Sequence, residues 1–163
     1  MIKLNLGCGN KILEGYENLD LYSTTSGVQR VDIRQLPYPD ASVDEILAED
    51  ILEHFGRLEW RKILAEWVRV LKPGGTITIQ SPDMIRLADA LSHAGNASDD
   101  EKWEAFNRRI FGGQGDGVTD GKGMYHYTGF SVAFLLRHCE RVHSLSYVRE
   151  NYHNYNFTLV MRK

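Results

Sequence analysis

Short apolar runs alternate along this chain with stretches of helical period. Ile2–Leu6, Tyr16–Asp20, Val28–Asp32, Val43–Ala48 and Thr76–Ser81 each carry the compact apolar pattern of a strand. Between the last two the period changes. Trp60, Ile63, Leu64, Trp67, Val68 and Leu71 recur on one stripe, which predicts a core-facing helix from Arg57 to Leu71. Lys72-Pro73-Gly74-Gly75 closes it, since proline cannot continue the ladder and the glycines supply a tight turn into the next strand. Further helices are predicted over Pro82–His93, Asp99–Phe111 and Ser131–Cys139. At the end, Val142–Val148 and Tyr155–Met161 read as two strands joined by the turn-rich RENYHN, a plausible antiparallel edge. The alternation predicts an α/β architecture on a mostly parallel sheet. No repeat, low-complexity tract or linker divides the 163 residues, so a single domain is expected.

Two features interrupt the pattern. Only nine residues separate Leu6 from Tyr16, and seven separate Asp20 from Val28. Crossovers between parallel strands ordinarily need a dozen or more, carrying a helix. One face of that half of the sheet is therefore expected to be thinly covered, open to an oligomer contact or to hydrophobic residues of a loop folding back. The second feature is GGQGDGVTDGKGMYHYTG, Gly112 to Gly129, with seven glycines in eighteen positions. A loop this long inside a compact domain is mobile, functional or both.

Composition narrows the partners. A net charge of −3 gives no electrostatic footprint for nucleic acid or an anionic membrane, so neither is expected as a partner. The longest apolar run, Val132–Leu136, is far short of a membrane span. Met1 opens almost directly onto a strand pattern, so no signal peptide and a reducing cytoplasm are expected. Cys8 and Cys139 make no disulfide framework and no metal-ligand spacing.

Chemistry concentrates where the first strand ends. KLNLGCGN leads into Gly7-Cys8-Gly9, and Asp20 follows Gly9 by eleven positions, closing the second strand. Glycines at a strand mouth let the backbone approach a ligand with no Cβ in the way. A dinucleotide would ask for a third glycine and a full helix to receive its pyrophosphate; Ile12 stands at that position, and the crossover scarcely holds a helix. An adenosine without phosphates asks instead for an acid at the second strand end to accept ribose hydroxyls, and a polar group at the third to read the adenine amine. Asp20 and Asp32 occupy those places.

With these residues in view, LNLGCGN, NLD, VDIRQLPYPDASVDEILAEDILEHF and RVLKPGGTITIQSP resemble a small class I S-adenosylmethionine-dependent methyltransferase. The likeness lies in the compact subgroup with a short loop between glycine motif and ribose-binding acid. It covers Lys3 to Asp83 well and the rest more loosely, through FGGQ and YHYTGF. It implies a Rossmann-like, doubly wound sheet, with residues 1–83 as the cofactor-binding half and 84–163 supplying helices, the glycine-rich loop and the C-terminal strand pair. S-adenosyl-L-methionine would be the cofactor and S-adenosyl-L-homocysteine the product. Carried over, Gly7, Cys8, Gly9 and Asn10 line the methionine and ribose portion; Asp20 and Leu21 hold the ribose; Asp32 and Ile33 meet adenine; Glu49, Asp50 and Ile51 wall the end of the fourth strand. Asn5 stands where the subgroup commonly has an acid.

Methyl transfer from a sulfonium needs mainly a nucleophile held in line, away from water, and a base when the acceptor carries a proton. Asp50, Glu53 and His54 follow the fourth strand, and His126 stands in the glycine-rich loop, with Tyr125 and Gln114 as substrate-orienting candidates. His126, Asp50 and His54 are the expected catalytic groups. Each has a plainer reading: His54 packs or caps at the start of the helix, and Glu53 lies on a solvated turn. His143 and His153 read as surface residues. No metal is expected; Asp50 with Asp83 is the only acid pair worth imagining as a magnesium site. The expected activity is methyl transfer to a small-molecule or saccharide-like acceptor. A non-catalytic domain that binds the same cofactor as a sensor or assembly piece, and a dinucleotide oxidoreductase, are the alternatives.

Overall fold

Residues 1–93, 100–113 and 125–163 are described in a computed structural model. Their strands form a seven-stranded sheet: β1 (Lys3–Leu6), β2 (Glu17–Asp20), β3 (Val28–Arg30), β4 (Val43–Glu49), β5 (Leu71–Pro82), β6 (Ser146–His153) and β7 (Asn156–Arg162). The spatial order is β3-β2-β1-β4-β5-β7-β6. β1 to β5 run parallel, β7 is antiparallel to β5, and β6 is antiparallel to β7. The helices are α1 (Trp60–Val70), α2 (Met84–His93), α3 (Asp100–Phe111) and α4 (Val132–His143), and a 3-10 turn spans Leu52–His54. The strand order reverses between β1 and β4. The crevice outside the carboxyl ends of strands at such a switch point is the customary ligand position in an open α/β sheet.

Helix α1 buries Trp60, Ile63, Leu64, Trp67 and Val68 as the periodicity predicts. Its end differs by one residue: Leu71 is extended and begins β5. Lys72-Pro73-Gly74-Gly75 is absorbed into that strand as an irregularity opposite Val43–Glu45. Gly75 is required there, since a Cβ would lie 2.9 Å from the Leu71 side chain and 3.0 Å from the Asp44 carbonyl.

The short crossovers are solved with side-chain amides rather than helices. Asn5 and Asn18 are buried on neighbouring strands, and Asn5 Nδ2 donates to Asn18 Oδ1 and to the Lys11 carbonyl. Asn18 also accepts from Leu13 N and donates to the carbonyls of Leu13 and Tyr16. The two asparagines thus satisfy backbone groups that a helix would have satisfied internally. The crossover folds onto its own strands and supplies cover that the spacing made look thin.

Three other expectations shift. β3 stops at Arg30 because the chain turns at Asp32, whose side chain and carbonyl receive Arg34 N and Gln35 N. α4 runs on to His143, and β6 starts only at Ser146, so the strand expected from Val142 opens as helix. RENYHN is mostly strand, and the turn narrows to Asn154 and Tyr155, with Asn154 at φ 53°. No helix among the described residues is long and apolar enough to cross a membrane.

Candidate functional site

At the mouth of β1, Gly7 and Gly9 both adopt left-handed backbone, for different reasons. A Cβ on Gly7 would sit 2.3 Å from Ile51 Cγ1, so Ile51 closes directly over it. Around Gly9 nothing lies within 4 Å of a Cβ position, so that face of the turn is open. Cys8 between them is buried, and burial first, then the Asp20 charge, pushes its thiol up to about 11. It stays a thiol at neutral pH and is no nucleophile.

Asp20 ends β2 beside this turn. Its Oδ2 accepts from Gly9 N at 3.0 Å, and its Oδ1 accepts from Tyr22 N and Ser23 N at 2.7 and 2.8 Å. Of roughly four lone-pair positions on a carboxylate, one on Oδ2 remains for a ligand hydroxyl. Asn10 ties the same turn to the next loop by accepting from Ser23 Oγ and Thr25 Oγ1. Leu21 follows Asp20 at the same rim. Asn5, beneath, spends its amide on the crossover, so its part is to hold the loop.

Along the crevice, Asp32 is gripped by the Arg34 guanidinium, with Nε and Nη2 reaching both of its oxygens at 2.7–3.0 Å. That bond holds its carboxyl below the usual range. Ile33 beside it is buried, and its carbonyl accepts from Trp67 Nε1 at 2.9 Å. A core tryptophan of α1 therefore sets the position of this wall. On the far side, Glu49 pairs with Lys11 across the glycine turn.

Asp50 has left-handed backbone at φ 49°, and its carboxylate accepts from Gln80 Nε2 and Asn156 Nδ2 at 2.9 and 2.8 Å. It cross-links the ends of β4, β5 and β7. Desolvation raises its carboxyl, against the Gln80 bond and with help from the Glu49 charge. Asp83 is no partner to it: Asp83 Oδ1 accepts from Ile85 N and Arg86 N and caps the start of α2.

The 3-10 turn after Asp50 makes the densest cluster of chemistry. Backbone N–H groups of Tyr127 and Thr128 donate to the Glu53 carbonyl, Thr128 Oγ1 donates to the Phe55 carbonyl, and His126 N donates to the Phe111 carbonyl. These bonds strap residues 126–128 across the turn and bring His126 to His54, ring centroids 4.8 Å apart, edge to face. His54 Nδ1 donates to the Tyr125 carbonyl and His126 Nδ1 to the Arg109 carbonyl, both at 2.9 Å. Those bonds point the Nε2 lone pairs elsewhere. Burial, then the neighbouring His54, lowers His126 to about 4, and burial also lowers His54, so both rings are neutral at pH 7.

Glu53 is the residue that sequence reasoning misplaced. Expected on a solvated turn, it is only 1% exposed. Among the described residues neither carboxylate oxygen makes a well-formed hydrogen bond, the Ser81 hydroxyl and its own backbone N–H being the near donors, and burial pushes it up to about 8. Its neighbours Leu52 and Phe55 are apolar, and that pattern was the available signal. Glu53 and His126 line a small cavity with Ser81, Pro82, Met84 and Arg109. The structure thus brings His54 and His126 together, with the backbone and charge of Asp50 beside His54 and the Asp50 carboxylate bonded on the β5–β7 side. Gln114 lies outside the described residues. His143 does not behave as a surface residue: its Nε2 is buried beside His138.

Known proteins place this geometry. Residues 4–79 match the methyltransferase domain family, a span just short of half the chain. The sheet superposes on a S-adenosylmethionine-dependent methyltransferase of Methanosarcina mazei with a TM-score of 0.63, 16% identity, and coverage of 99% of this chain and 91% of that one. The chain carries the fold of a class I S-adenosylmethionine-dependent methyltransferase. A second methyltransferase of this fold, the 1,6-didemethyltoxoflavin-N1-methyltransferase of Burkholderia thailandensis, gives a TM-score of 0.62 at 15% identity, over 99% of this chain and 70% of its own; it was solved with its acceptor and S-adenosylhomocysteine. In sequence, a probable S-adenosylmethionine-dependent methyltransferase of Mycolicibacterium smegmatis is 33% identical over 75 residues, 43% of this chain. The chain spans 28% of that relative's length.

Proposed function

We propose that this chain binds S-adenosylmethionine in the β1/β4 crevice and transfers its methyl group to a small-molecule acceptor, a saccharide-like metabolite included. The observation that carries the reading is the open face of Gly9 beside an Asp20 oxygen with acceptor capacity left over. A Cβ there would fill the place a ligand needs, and the residues present fit an adenosyl group. Asp20 takes a ribose hydroxyl, Ile33 and Leu21 flank the base, Asp32 meets the adenine amine by giving up one of its contacts with Arg34, and Glu49 and Ile51 close the opposite wall. When bound, S-adenosylmethionine supplies an electrophilic methyl group and leaves as S-adenosylhomocysteine.

The acceptor side is formed by Asp50, His54 and His126. A neutral imidazole with its Nδ1 fixed on a carbonyl presents an Nε2 able to take a proton from an acceptor hydroxyl or ammonium. The strap at residues 126–128 is hydrogen-bonded across that side. Holding an acceptor in line in such a site is worth about 7–11 kcal/mol of barrier. Assays of S-adenosylhomocysteine release against an acceptor library test this. Turnover of one acceptor class is expected, with His126→Ala slowing it by about 100-fold while cofactor affinity stays within about twofold. Loss of cofactor affinity with an unchanged rate constant would make the strap a cofactor clamp instead. Cofactor binding without turnover of any acceptor would favour the sensor reading.

A further inference from the structure

Glu53, His54 and His126 each offer one ligand atom, and these atoms all lie within 4.8 Å of one another. We propose that the three form a binding site for a divalent transition metal of the zinc type, with coordination positions left open toward the acceptor side. The sequence spacing gave no hint of it, because two of the donors are adjacent residues and the third arrives from beyond residue 112, carried by the strap.

Three observations support the site. The first is Glu53, a carboxylate 1% exposed that makes no ion pair among the described residues and has only the Ser81 hydroxyl and its own backbone N–H near its oxygens. A carboxylate so placed costs several kcal/mol unless a proton or a cation meets it. Arg109 reaches the cavity wall but does not serve: its Nη1 donates to the Ala105 carbonyl, and its guanidinium lies over the Tyr155 ring. The second is the state of the histidines. Each donates Nδ1 to a backbone carbonyl, the outer bond that fixes tautomer and orientation in metal-ligating imidazoles. The third is that residues 126–128 are anchored to the turn that carries the other two donors, so the third ligand is held by four hydrogen bonds to Glu53, Phe55 and Phe111.

Donors around tetrahedral zinc stand about 3.3 Å apart, from bonds of about 2.0–2.1 Å. The 4.8 Å bound therefore leaves a closing movement of about 1.5 Å, to be made by the Glu53 side chain with the two rings kept on their carbonyls. Two imidazoles with one carboxylate suit zinc or ferrous iron, whereas magnesium prefers oxygen donors and its own water. Metal binding does not depend on the adenosyl reading. The role of the ion does rest on it: with the Nε2 lone pairs of His54 and His126 committed as ligands, the ion and not a free imidazole would ease proton loss, by lowering the pKa of an acceptor hydroxyl and holding its oxygen in place.

The test is calorimetric titration of the chelator-treated full chain with zinc chloride, followed by a magnesium competition. The expected result is one zinc per chain with submicromolar affinity, unaffected by millimolar magnesium. Affinity should fall at least 10-fold in His126→Ala and in Glu53→Gln, with His126→Ala keeping its S-adenosylhomocysteine affinity as proof of fold. Zinc binding that survives in His126→Ala and disappears in the His138→Ala/His143→Ala variant would overturn the proposal, because that nearby pair would then be the ligand set. Affinity no tighter than millimolar would overturn it as well, and S-adenosylhomocysteine binding would stand untouched by either outcome.

Discussion

Gly7 and Gly9 are separated by one residue and fail differently when given a side chain. Gly7→Ala drives a methyl into Ile51 in a left-handed backbone, and should cost about 2 kcal/mol or more of folding stability. Gly9→Ala meets open space, so only the left-handed strain of about 1 kcal/mol applies. Its methyl would occupy the ligand's side of the turn, and S-adenosylhomocysteine affinity should fall by more than stability does. Urea titrations paired with calorimetry on the two variants check the contrast; equal losses in both measurements would contradict it. At this scale the sequence was legible where a residue's job follows from its spacing. Gly9 and Asp20 needed only the strand mouth and the distance between them. Asp32 was expected to end the third strand but lies two residues past it, and its capture by Arg34 depends on a turn that spacing does not reveal. Glu53 was hidden because burial of a charged residue is decided by what folds over it.

Helix α1 was legible because its apolar stripe is its own instruction; the tryptophan bond to Ile33 was not, since Trp67 meets that carbonyl only after the chain has turned. Helix α4 outran its predicted end. Ser131 caps its start, its side chain accepting from Phe134 N at 3.4 Å, and Ser144 ends it in left-handed backbone at φ 53°. Its last turns carry His138 and His143, rings 5.3 Å apart, with both Nε2 atoms buried and without a hydrogen-bond partner among the described residues. Burial is the first cause lowering each below the ordinary histidine range, helped at His138 by the charges of His143 and Arg61. The sign follows from linkage. Below the ordinary value of about 6.5 the unfolded chain takes up protons that the folded helix resists, so stability is lost as pH falls from there toward the lowered values. Thermal melts from pH 7.5 to 5 should show this loss, and the His138→Gln/His143→Gln variant should show less of it. Parallel curves would mean the pair is not held neutral.

For the whole molecule, the pattern of strands and helices was readable, but the order β3-β2-β1-β4-β5-β7-β6 was not, because pairing is settled by contacts far apart in sequence. The antiparallel β6–β7 edge was expected from their turn-rich connection. The thin cover over β1 to β3 was a fair inference from crossover length, and Asn5 and Asn18 answered it by bonding the crossover back onto its strands. The consequence is functional: a loop held by two buried amides leaves no room for a pyrophosphate-binding helix and keeps Gly9 and Asp20 a hydrogen bond apart. A crevice so built suits a nucleoside without phosphates. Calorimetric titration with S-adenosylhomocysteine and NAD, on the natural chain and on Asp20→Asn, tests that most directly. The account predicts micromolar or tighter binding of S-adenosylhomocysteine, no binding of NAD, and a loss of about 1.5 kcal/mol or more in the variant as charge-assisted bonds to the ribose weaken. Binding of NAD alone, or an affinity for S-adenosylhomocysteine indifferent to Asp20, would contradict it.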